Sequence, residues 1–383
     1  MSSDMAQVSE LRADELLRQG LDTALAGELR ELARRSIEAN VFYEDWMLLP
    51  ALRLLRGTSD IRLVCVRNSA RTLVAFFPVQ ILRHGHLGGL KVMRLWRHDY
   101  CFLCTPLIDE QHVRQCADAL AGWLQSPAAP AAILEFHSCT SDGVFGGSFL
   151  PALCARPGWV SDATRATRAL LTRSMSTGLS AKHRKDLRRI ERRLGELGLL
   201  RFSVLQPAQD CEPWIDRFLS LESAGWKGRS RTALDSRNED RAFFRLVATE
   251  AHRRGRLQLL ALEVGSVTVA MKCNFLAAPG SFAFKIAYDE RYAKYSPGLL
   301  LEVFNTQHIL MSCPQITWMD SCADPGHFMI ERLWPGRRQI GRQVVCGRGL
   351  VPRAAVLAAP VYRSVMGMIG RPRRAATGQE VSA

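Results

Sequence analysis

The sequence predicts an α/β fold built from two similar units, each with a central mixed sheet flanked by helices. Three observations predict it: a hairpin pattern at residues 257–276, a strand, turn and helix at residues 281–310, and a similar order of segments between residues 61 and 136. Strand-type segments that alternate with helix-type segments are typical of mixed sheets covered by helices. A chain of 383 residues, of which 47% are hydrophobic, is long enough for two cores. We therefore expect a first domain at residues 35–172 and a second at residues 173–346, after an N-terminal helical segment (residues 1–34) and before a basic tail (residues 347–383).

The second unit begins with an amphipathic helix at residues 179–197, whose apolar face carries Leu187, Ile190, Leu194 and Leu197. Two strands joined by Gly265-Ser266 have the pattern of a β-hairpin. The order that we predict is helices at 213–222 and 240–253, strands at 257–264, 267–276 and 281–288, a helix at 299–310, a strand at 315–319, a short helix at 327–333 and a strand at 339–346.

The first unit has the same order of parts. A hairpin at residues 61–81 is followed by strand material at 91–104, a helix at 111–124 and a strand at 132–136. The segment from Glu135 to Cys139 aligns with that from Trp318 to Cys322, and Ser and Cys recur in register. A diverged internal duplication explains this most simply, with chance similarity of two buried strands as the alternative.

Ser296-Pro297-Gly298 separates the strand at 281–288 from the helix that follows it. Ser is a good N-cap, Pro fits the first helical position, and Gly lets a ligand come close to the main chain. We expect free main-chain N–H groups at the positive end of the helix dipole, which suits a phosphate, although an ordinary capped helix is the alternative. The first unit has Thr105-Pro106-Leu107 at the equivalent place, and its Leu side chain would obstruct a phosphate.

The net charge of +14 favours anionic partners. A dense basic face is predicted on the helix at 179–197, where it is either solvated charge or a platform for an anionic acceptor such as a phosphorylated sugar, a lipid phosphate or tRNA. Residues 351–374 read either as a basic helix that touches an anionic membrane surface and breaks at Pro360, or as a disordered tail. The basic face consists of Lys182, Arg184, Lys185, Arg188, Arg189, Arg192 and Arg193.

The sequence has no run of 18 apolar residues and no apolar segment of signal-peptide type near its N-terminus. Its 11 cysteines are scattered, mostly within apolar segments, which favours reduced thiols and a cytoplasmic location, with the inner face of the membrane as a further site. Cys101 and Cys104 are placed on a strand, where their side chains would point to opposite faces, so no zinc or other metal site is expected.

The chain resembles the GNAT acyltransferase fold, in the tandem arrangement of the Fem-type double-GNAT proteins, and is most similar to the CelD-like (cellulose-biosynthesis-associated) acetyltransferases. The resemblance covers roughly residues 35 to 345, and the turn departs from it because the usual GNAT turn is Gly-rich and begins with Arg or Gln. The segments that carry it are residues 179–189, residues 222–228, residues 287–289 with 295–298, and residues 318–320.

The resemblance implies an N-acyltransferase that uses acetyl-CoA or another acyl-CoA, with an amine acceptor in polysaccharide or cell-envelope metabolism. Such a site must position a thioester, stabilise an oxyanion and move a proton. We predict catalytic roles for Glu222, Tyr288 and Asp320; the alternatives are a solvated helix end, ordinary packing and a loop cap, respectively. The predicted CoA contacts are Tyr295, Ser296, Pro297, Gly298 and Leu299, and the predicted acceptor contacts are Trp226, Lys227, Arg184 and Arg188.

Two other functions stay open at this point. A Fem-type transferase would take its acyl group from aminoacyl-tRNA and would use the basic helix to bind it. A non-catalytic scaffold in exopolysaccharide assembly would use the basic face and tail for docking.

Overall fold

The computed structural model describes residues 6–57, 59–156, 159–174 and 178–368. These residues form two compact units. The first unit comprises residues 6–38, 59–156, 159–165 and 340–368, and the second comprises residues 39–57, 166–174 and 178–339. The predicted boundaries differ from these units, because residues 39–57 belong to the second unit and most of the last strand belongs to the first.

The regular elements alternate along the chain as expected for a mixed α/β protein. The helices are α1 (Ala13–Gln19), α2 (Asp22–Arg34), α3 (Asp45–Leu54), α4 (Val113–Gln125), α5 (Leu150–Cys154), α6 (Ala181–Gly195), α7 (Glu212–Ala224), α8 (Trp226–Arg229), α9 (Asn238–Arg253), α10 (Pro297–Ser312), α11 (Phe328–Leu333) and α12 (Leu350–Met368). The strands are β1 (Gln7–Arg12), β2 (Ile61–Arg67), β3 (Leu73–His84), β4 (Leu90–Leu95), β5 (Leu107–Ile108), β6 (Ile133–Thr140), β7 (Val160–Thr172), β8 (Leu200–Val204), β9 (Leu257–Val264), β10 (Val267–Ala277), β11 (Gly280–Tyr288), β12 (Trp318–Asp320) and β13 (Gly336–Cys346).

The two units repeat one strand topology. In the first unit the sheet order is β1-β2-β3-β4-β6-β13, with β5 beside β3. In the second unit the order is β7-β12-β11-β10-β9-β8. Each contains two successive antiparallel pairings followed by one parallel pairing, β4 with β6 and β11 with β12. The predicted two-unit α/β fold is confirmed.

Helix α3 belongs to the second unit because its side chains contact residues of that unit. Asp45 accepts two hydrogen bonds from Arg254, at 2.9 and 2.8 Å, and is itself buried. Trp46 packs edge-on against Phe275, with ring centroids 5.4 Å apart. A boundary drawn from composition at residue 35 does not detect these contacts, since they join residues more than 200 positions apart.

Several elements were not predicted. The N-terminal segment is not wholly helical, because β1 pairs with β2 along its whole length. Strands β7 and β8 were also missed. The predicted tail begins with a helix, α12, that continues through Pro360, and its Val356 and Ala359 are buried in the core of the first unit. The predicted residues Arg371, Arg373 and Arg374 lie outside the described residues.

Helix α6 shows how the second unit begins. Its N-cap Ser180 accepts a hydrogen bond from the main-chain N–H of His183 at 3.2 Å, as a Ser at this position commonly does. Leu187, Ile190 and Leu194 pack into the core formed with α10, whereas Leu197 lies beyond the helix and is exposed. None of the described helices is long and apolar enough to cross a membrane.

Candidate functional site

Strands β11 and β12 run in parallel but separate after three residue pairs. Gly280 is paired with Trp318 and Phe282 with Asp320, where β12 ends. Residues 283–288 continue beyond this point, so their main-chain groups on that side have no ladder partner within the described residues. We call this stretch the open edge of β11. Apart from the C=O of Ile286, which accepts a hydrogen bond from Lys227, its outward main-chain groups are suited to an extended ligand that contains amides.

The predicted phosphate turn differs from expectation in three ways. Helix α10 begins at Pro297, as predicted, but a 3-10 helix (Glu290–Tyr295) stands between β11 and the turn. Ser296 has a left-handed φ of 45° and its side chain forms no cap hydrogen bond. Its carbonyl oxygen accepts hydrogen bonds from the N–H groups of Leu299 and Leu300, at 3.0 and 3.1 Å. Since Pro297 has no N–H, Gly298 provides the one first-turn N–H group without a partner among the described residues.

Tyr288 lies at the point where the start of α10 meets the open edge. A Cβ atom on Gly298 would lie 3.5 Å from Cδ1 of Tyr288. Tyr288 also lines a cavity of about 630 Å³, together with Asp289, Glu290 and Ser220. Burial raises the pKa of Tyr288, and the neighbouring Glu290 adds to the effect. The phenol therefore carries its proton at neutral pH, as a proton donor must, and is a weaker acid than a solvated tyrosine.

Glu222 is buried rather than placed at a solvated helix end. Its Oε1 atom lies 2.9 Å from Nζ of Lys285 and 3.3 Å from Nζ of Lys227, and its Oε2 atom accepts the N–H of Leu234 at 2.8 Å. Burial acts to raise the pKa of Glu222, but Lys285 and Lys227 outweigh it and leave the pKa lowered. Glu222 is thus an ionised partner of two lysines. To act as a general base, it would first have to break its ion pairs with Lys227 and Lys285.

Lys227 ends at the open edge. Its ammonium group donates a hydrogen bond of 2.7 Å to the main-chain oxygen of Ile286. Burial lowers the pKa of Lys227 to about 8, although the carboxylate of Glu222 acts to raise it. The main-chain N–H of the preceding residue, Trp226, donates to Oε1 of Glu290 at 2.6 Å and so ties α8 to the 3-10 helix.

Asp320 is fully buried at the end of β12. Its Oδ2 atom accepts hydrogen bonds from Arg168 at 2.7 Å and from Arg338 at 2.8 Å, while Oδ1 accepts the N–H of Cys322 at 2.9 Å. Burial acts to raise the pKa of Asp320, and the two guanidinium groups outweigh it and leave the pKa lowered. The carboxylate therefore caps the following loop and holds β12 in place, which is the alternative role stated above, and its geometry offers no access to an acceptor amine.

A second buried lysine–glutamate pair lies on the opposite face of the sheet and was not foreseen. In the ladder of β10 and β11, Lys272 faces Ile286 and Cys273 faces Lys285, so Lys272 and Lys285 point to opposite faces. Nζ of Lys272 lies 2.8 Å from Oε2 of Glu302 in α10. The sequence could have indicated this pair, because Lys272 and Glu302 are each a single charged residue within an apolar segment, and charged residues are seldom buried unless they are paired.

The four predicted acceptor residues do not form one site. Trp226 and Lys227 belong to α8, next to α7, on the face that carries Lys285. Arg184 and Arg188 lie on α6, which packs with α10 on the face that carries Lys272. There they line a groove of about 380 Å³, whose floor is apolar and includes Leu187, Phe202, Leu300, Val303 and Phe304.

Two predictions for the first unit were wrong. Thr105 and Pro106 lead into the short strand β5 and not into a helix, because α4 begins only at Val113. Cys101 and Cys104 lie outside the strands, and their sulfur atoms are 3.9 Å apart instead of pointing to opposite faces.

Part of the chain is similar in sequence to a known protein family. Residues 181–308, from the start of α6 to most of α10, match the family model of an acetyltransferase (GNAT) domain. No curated protein has significant sequence similarity to the chain.

Solved structures are similar to the chain at low sequence identity. FemX is 9% identical with a TM-score of 0.54, and the alignment covers 89% of this chain and 98% of FemX. The C-terminal domain of a putative lysylphosphatidylglycerol synthetase from Agrobacterium fabrum is 15% identical with a TM-score of 0.51, over 89% of this chain and 96% of that one. A tandem GNAT protein from the clavulanic acid biosynthesis pathway is 11% identical with a TM-score of 0.43, and the alignment covers 90% of this chain and 99% of that one.

The resemblance to CelD-like acetyltransferases stays a prediction, since these comparisons do not reach it. Residues 181–308 of the second unit are therefore similar to a GNAT acetyltransferase domain, and the α/β chain as a whole has a fold of two GNAT-like units.

Proposed function

We propose that the protein transfers an acyl group from a coenzyme A thioester to an amine, and that acetyl-CoA is the donor. The match of residues 181–308 to the GNAT acetyltransferase model carries the proposal. The open edge of β11 and the unpartnered N–H of Gly298 support it, because one suits the amide-containing arm of CoA and the other suits its pyrophosphate.

The residues around α10 fit a diphosphate moderately well. Gly298 offers its N–H, and the exposed Lys294, in the 3-10 helix, adds a positive charge close by. Nζ of Lys294 lies 5.0 Å from the ring centroid of Tyr295, which is partly buried against α6 and α10. Leu299 and Ser296 shape the turn but offer no free N–H group.

The amine acceptor reaches the open edge of β11 from the cavity of about 630 Å³ on the α7 side, and the Tyr288 ring lies across that edge, beside α10. Its nitrogen attacks the thioester carbonyl carbon, a C–N bond forms and the C–S bond breaks. The phenol of Tyr288 donates its proton to the departing sulfur and regains a proton from solvent after the transfer, and the proton lost by the amine leaves to solvent. Lys227 places a positive charge at the open edge, where negative charge grows on the carbonyl oxygen. Glu222 and Asp320 are positioning residues, which hold Lys227 and β12 respectively.

Release of free thiol from acetyl-CoA, measured with a panel of amines, tests this function. Amino sugars come first in the panel because of the resemblance to CelD-like acetyltransferases, followed by amino acids and lysine peptides. Thiol release with at least one acceptor, reduced on Tyr288→Phe, is the expected result. A protein that binds no CoA and releases no thiol with any amine would instead support the non-catalytic scaffold.

A second candidate function is a Fem-type transfer from aminoacyl-tRNA. The seven basic side chains of α6 are all exposed, and Arg189 forms an ion pair with Asp186 at 3.5 Å. This candidate predicts tRNA binding that weakens steeply with salt and on the double change Arg188→Glu and Arg189→Glu. The control Arg114→Glu, on the exposed side of α4, should leave binding unchanged. Absent or salt-insensitive binding eliminates it.

A further inference from the structure

The C-terminal helix α12 has two apolar faces, and only one of them is covered. Val356 and Ala359 are buried against Leu87, Val92 and other core residues of the first unit. The side chains on the opposite face are exposed: the exposed fraction is 84% for Leu350, 60% for Leu357 and 67% for Val361. Burial in the first unit fixes how the helix is rotated, so the outward direction of this face follows from its packing.

The exposed residues form a continuous stripe. Leu350, Ala354, Leu357 and Val361 follow one another at intervals of four, three and four residues, the spacing that places side chains on one line along a helix. Val351 and Tyr362 on the same helix are also exposed, whereas other exposed large apolar side chains, such as Leu246 on α9, lie on different elements. A contiguous apolar stripe on a soluble surface marks an interaction site, whereas scattered residues do not.

The charged residues in this part of the sequence are all of one sign. No Asp or Glu occurs between Glu331 and Glu380 in the sequence. Arg353 lies one residue before the exposed Ala354, and more arginines follow the stripe along the chain: Arg363, Arg371, Arg373 and Arg374. An apolar helix face in a segment whose charged residues are all arginines is complementary to a surface that is both apolar and anionic, which is the headgroup region of a leaflet with acidic lipids.

We propose that α12 binds flat on a membrane that contains anionic phospholipid, with Leu350, Leu357 and Val361 inserted between the headgroups. A spanning arrangement does not fit, because the described helices include none that is long and apolar enough to cross a bilayer. This inference rests on the surface of the first unit and does not depend on the proposed transferase activity.

The test is co-sedimentation of the full chain with vesicles of phosphatidylcholine alone or mixed with phosphatidylglycerol. The protein should bind the mixed vesicles and not the neutral ones, and high salt should weaken binding, since each arginine near the surface contributes roughly fivefold. The double change Leu357→Glu and Val361→Glu should lower binding at least about tenfold, because it places two anions among anionic headgroups. Leu246→Glu is the matched control, an exposed leucine on another helix, and should bind as the wild type does.

Thermal unfolding checks that the double variant is folded, which we expect since both side chains are exposed. If the folded double variant binds mixed vesicles as well as the wild type, the proposal is overturned. It is also overturned if the wild type binds no vesicles, or if it forms a dimer that dissociates on the double change, because a second copy of the chain would then cover the stripe.

Discussion

The ammonium group of Lys227 lies 3.3 Å from Oε1 of Glu222, five residues earlier in the chain, and reaches past it to the open edge of β11. The same carboxylate oxygen also accepts a hydrogen bond from Lys285, so a single buried anion faces two cations. One excess positive charge therefore remains in a buried place next to the proposed thioester site. Such a charge is expensive to bury unless it serves a function or gives up its proton.

The stability of the protein should depend on pH through Lys227. Its pKa falls from 10.5 in the unfolded chain to about 8 in the folded protein, so the folded state binds fewer protons between these values. By linkage, the free energy of unfolding increases as pH rises from about 8 to about 10.5. Below pH 8 the charged Lys227 lowers the stability of the folded protein by its full amount. The shift corresponds to about 3 kcal/mol at 1.36 kcal/mol per unit.

Urea unfolding of wild type and Lys227→Met at several pH values isolates this contribution. The difference in free energy of unfolding, wild type minus variant, should rise by about 3 kcal/mol across that interval. A difference that stays constant, or that falls as pH rises, contradicts the low pKa of Lys227.

The change Glu222→Gln should destabilise the protein strongly. It leaves Lys227 and Lys285 buried without a counter-charge, and breaking a buried ion pair from one side costs about 3–5 kcal/mol. Chemical denaturation measures the loss. Glu196→Gln, at the exposed end of α6, serves as the control and should alter stability by less than about 0.5 kcal/mol. Equal effects of the two changes would show that Glu222 is solvated.

Asp320 should support stability against acid. Its folded pKa lies below the usual 3.8, so its contribution is present above that value and is lost as pH falls through the folded pKa. Asp320→Asn should lower the free energy of unfolding at neutral pH by about 3–5 kcal/mol, because Arg168 and Arg338 lose their shared partner. Acid titration of unfolding then separates the two proteins above pH 4 and brings them together below it. The exposed Asp324→Asn is the control, and a similar result for both variants contradicts the buried pairing.

Tyr288→Phe should leave the fold intact and slow the transfer. If the phenol protonates the departing thiolate, its removal lowers kcat by roughly a hundredfold while CoA affinity changes little. Initial-rate kinetics with the best acceptor measures this, with Tyr292→Phe in the 3-10 helix as the control. A Tyr288→Phe enzyme with wild-type kcat removes Tyr288 from the chemistry.

Local signals explain what the sequence predicted well. The hairpin of β9 and β10 turns at Gly265-Ser266, as proposed, because Gly265 takes a left-handed φ of 59° there. Pro297 opens α10, since a missing N–H does no harm at the first helical position. The order of elements along each unit was predicted from the alternation of strand-type and helix-type segments, whereas the order of strands in the sheets was not predicted.

The charged partners of the site could not be predicted, because they are distant in the chain. Arg168 binds Asp320 across 152 residues, and Lys285 binds Glu222 across 63. No local pattern links such residues. The short strand β8 was missed because its mixed sequence, Leu-Arg-Phe-Ser-Val, differs little from a loop, and it becomes a strand only by pairing with β9. The left-handed Ser296 was also missed, because its sequence is that of an ordinary N-cap serine, whereas here the carbonyl and not the side chain accepts the N–H of Leu299.

Calorimetric titration of acetyl-CoA into the wild type and into Gly298→Leu tests the central claim most directly. Gly122→Leu, at an exposed position of α4 with open space around it, is the matched control. The account predicts that the wild type and the control bind acetyl-CoA equally and that Gly298→Leu binds it at least about tenfold more weakly, because the new side chain would occupy the space beside Tyr288 and Ile286. Absence of binding by the folded wild type, or equal binding by all three proteins, would contradict a CoA site at the start of α10.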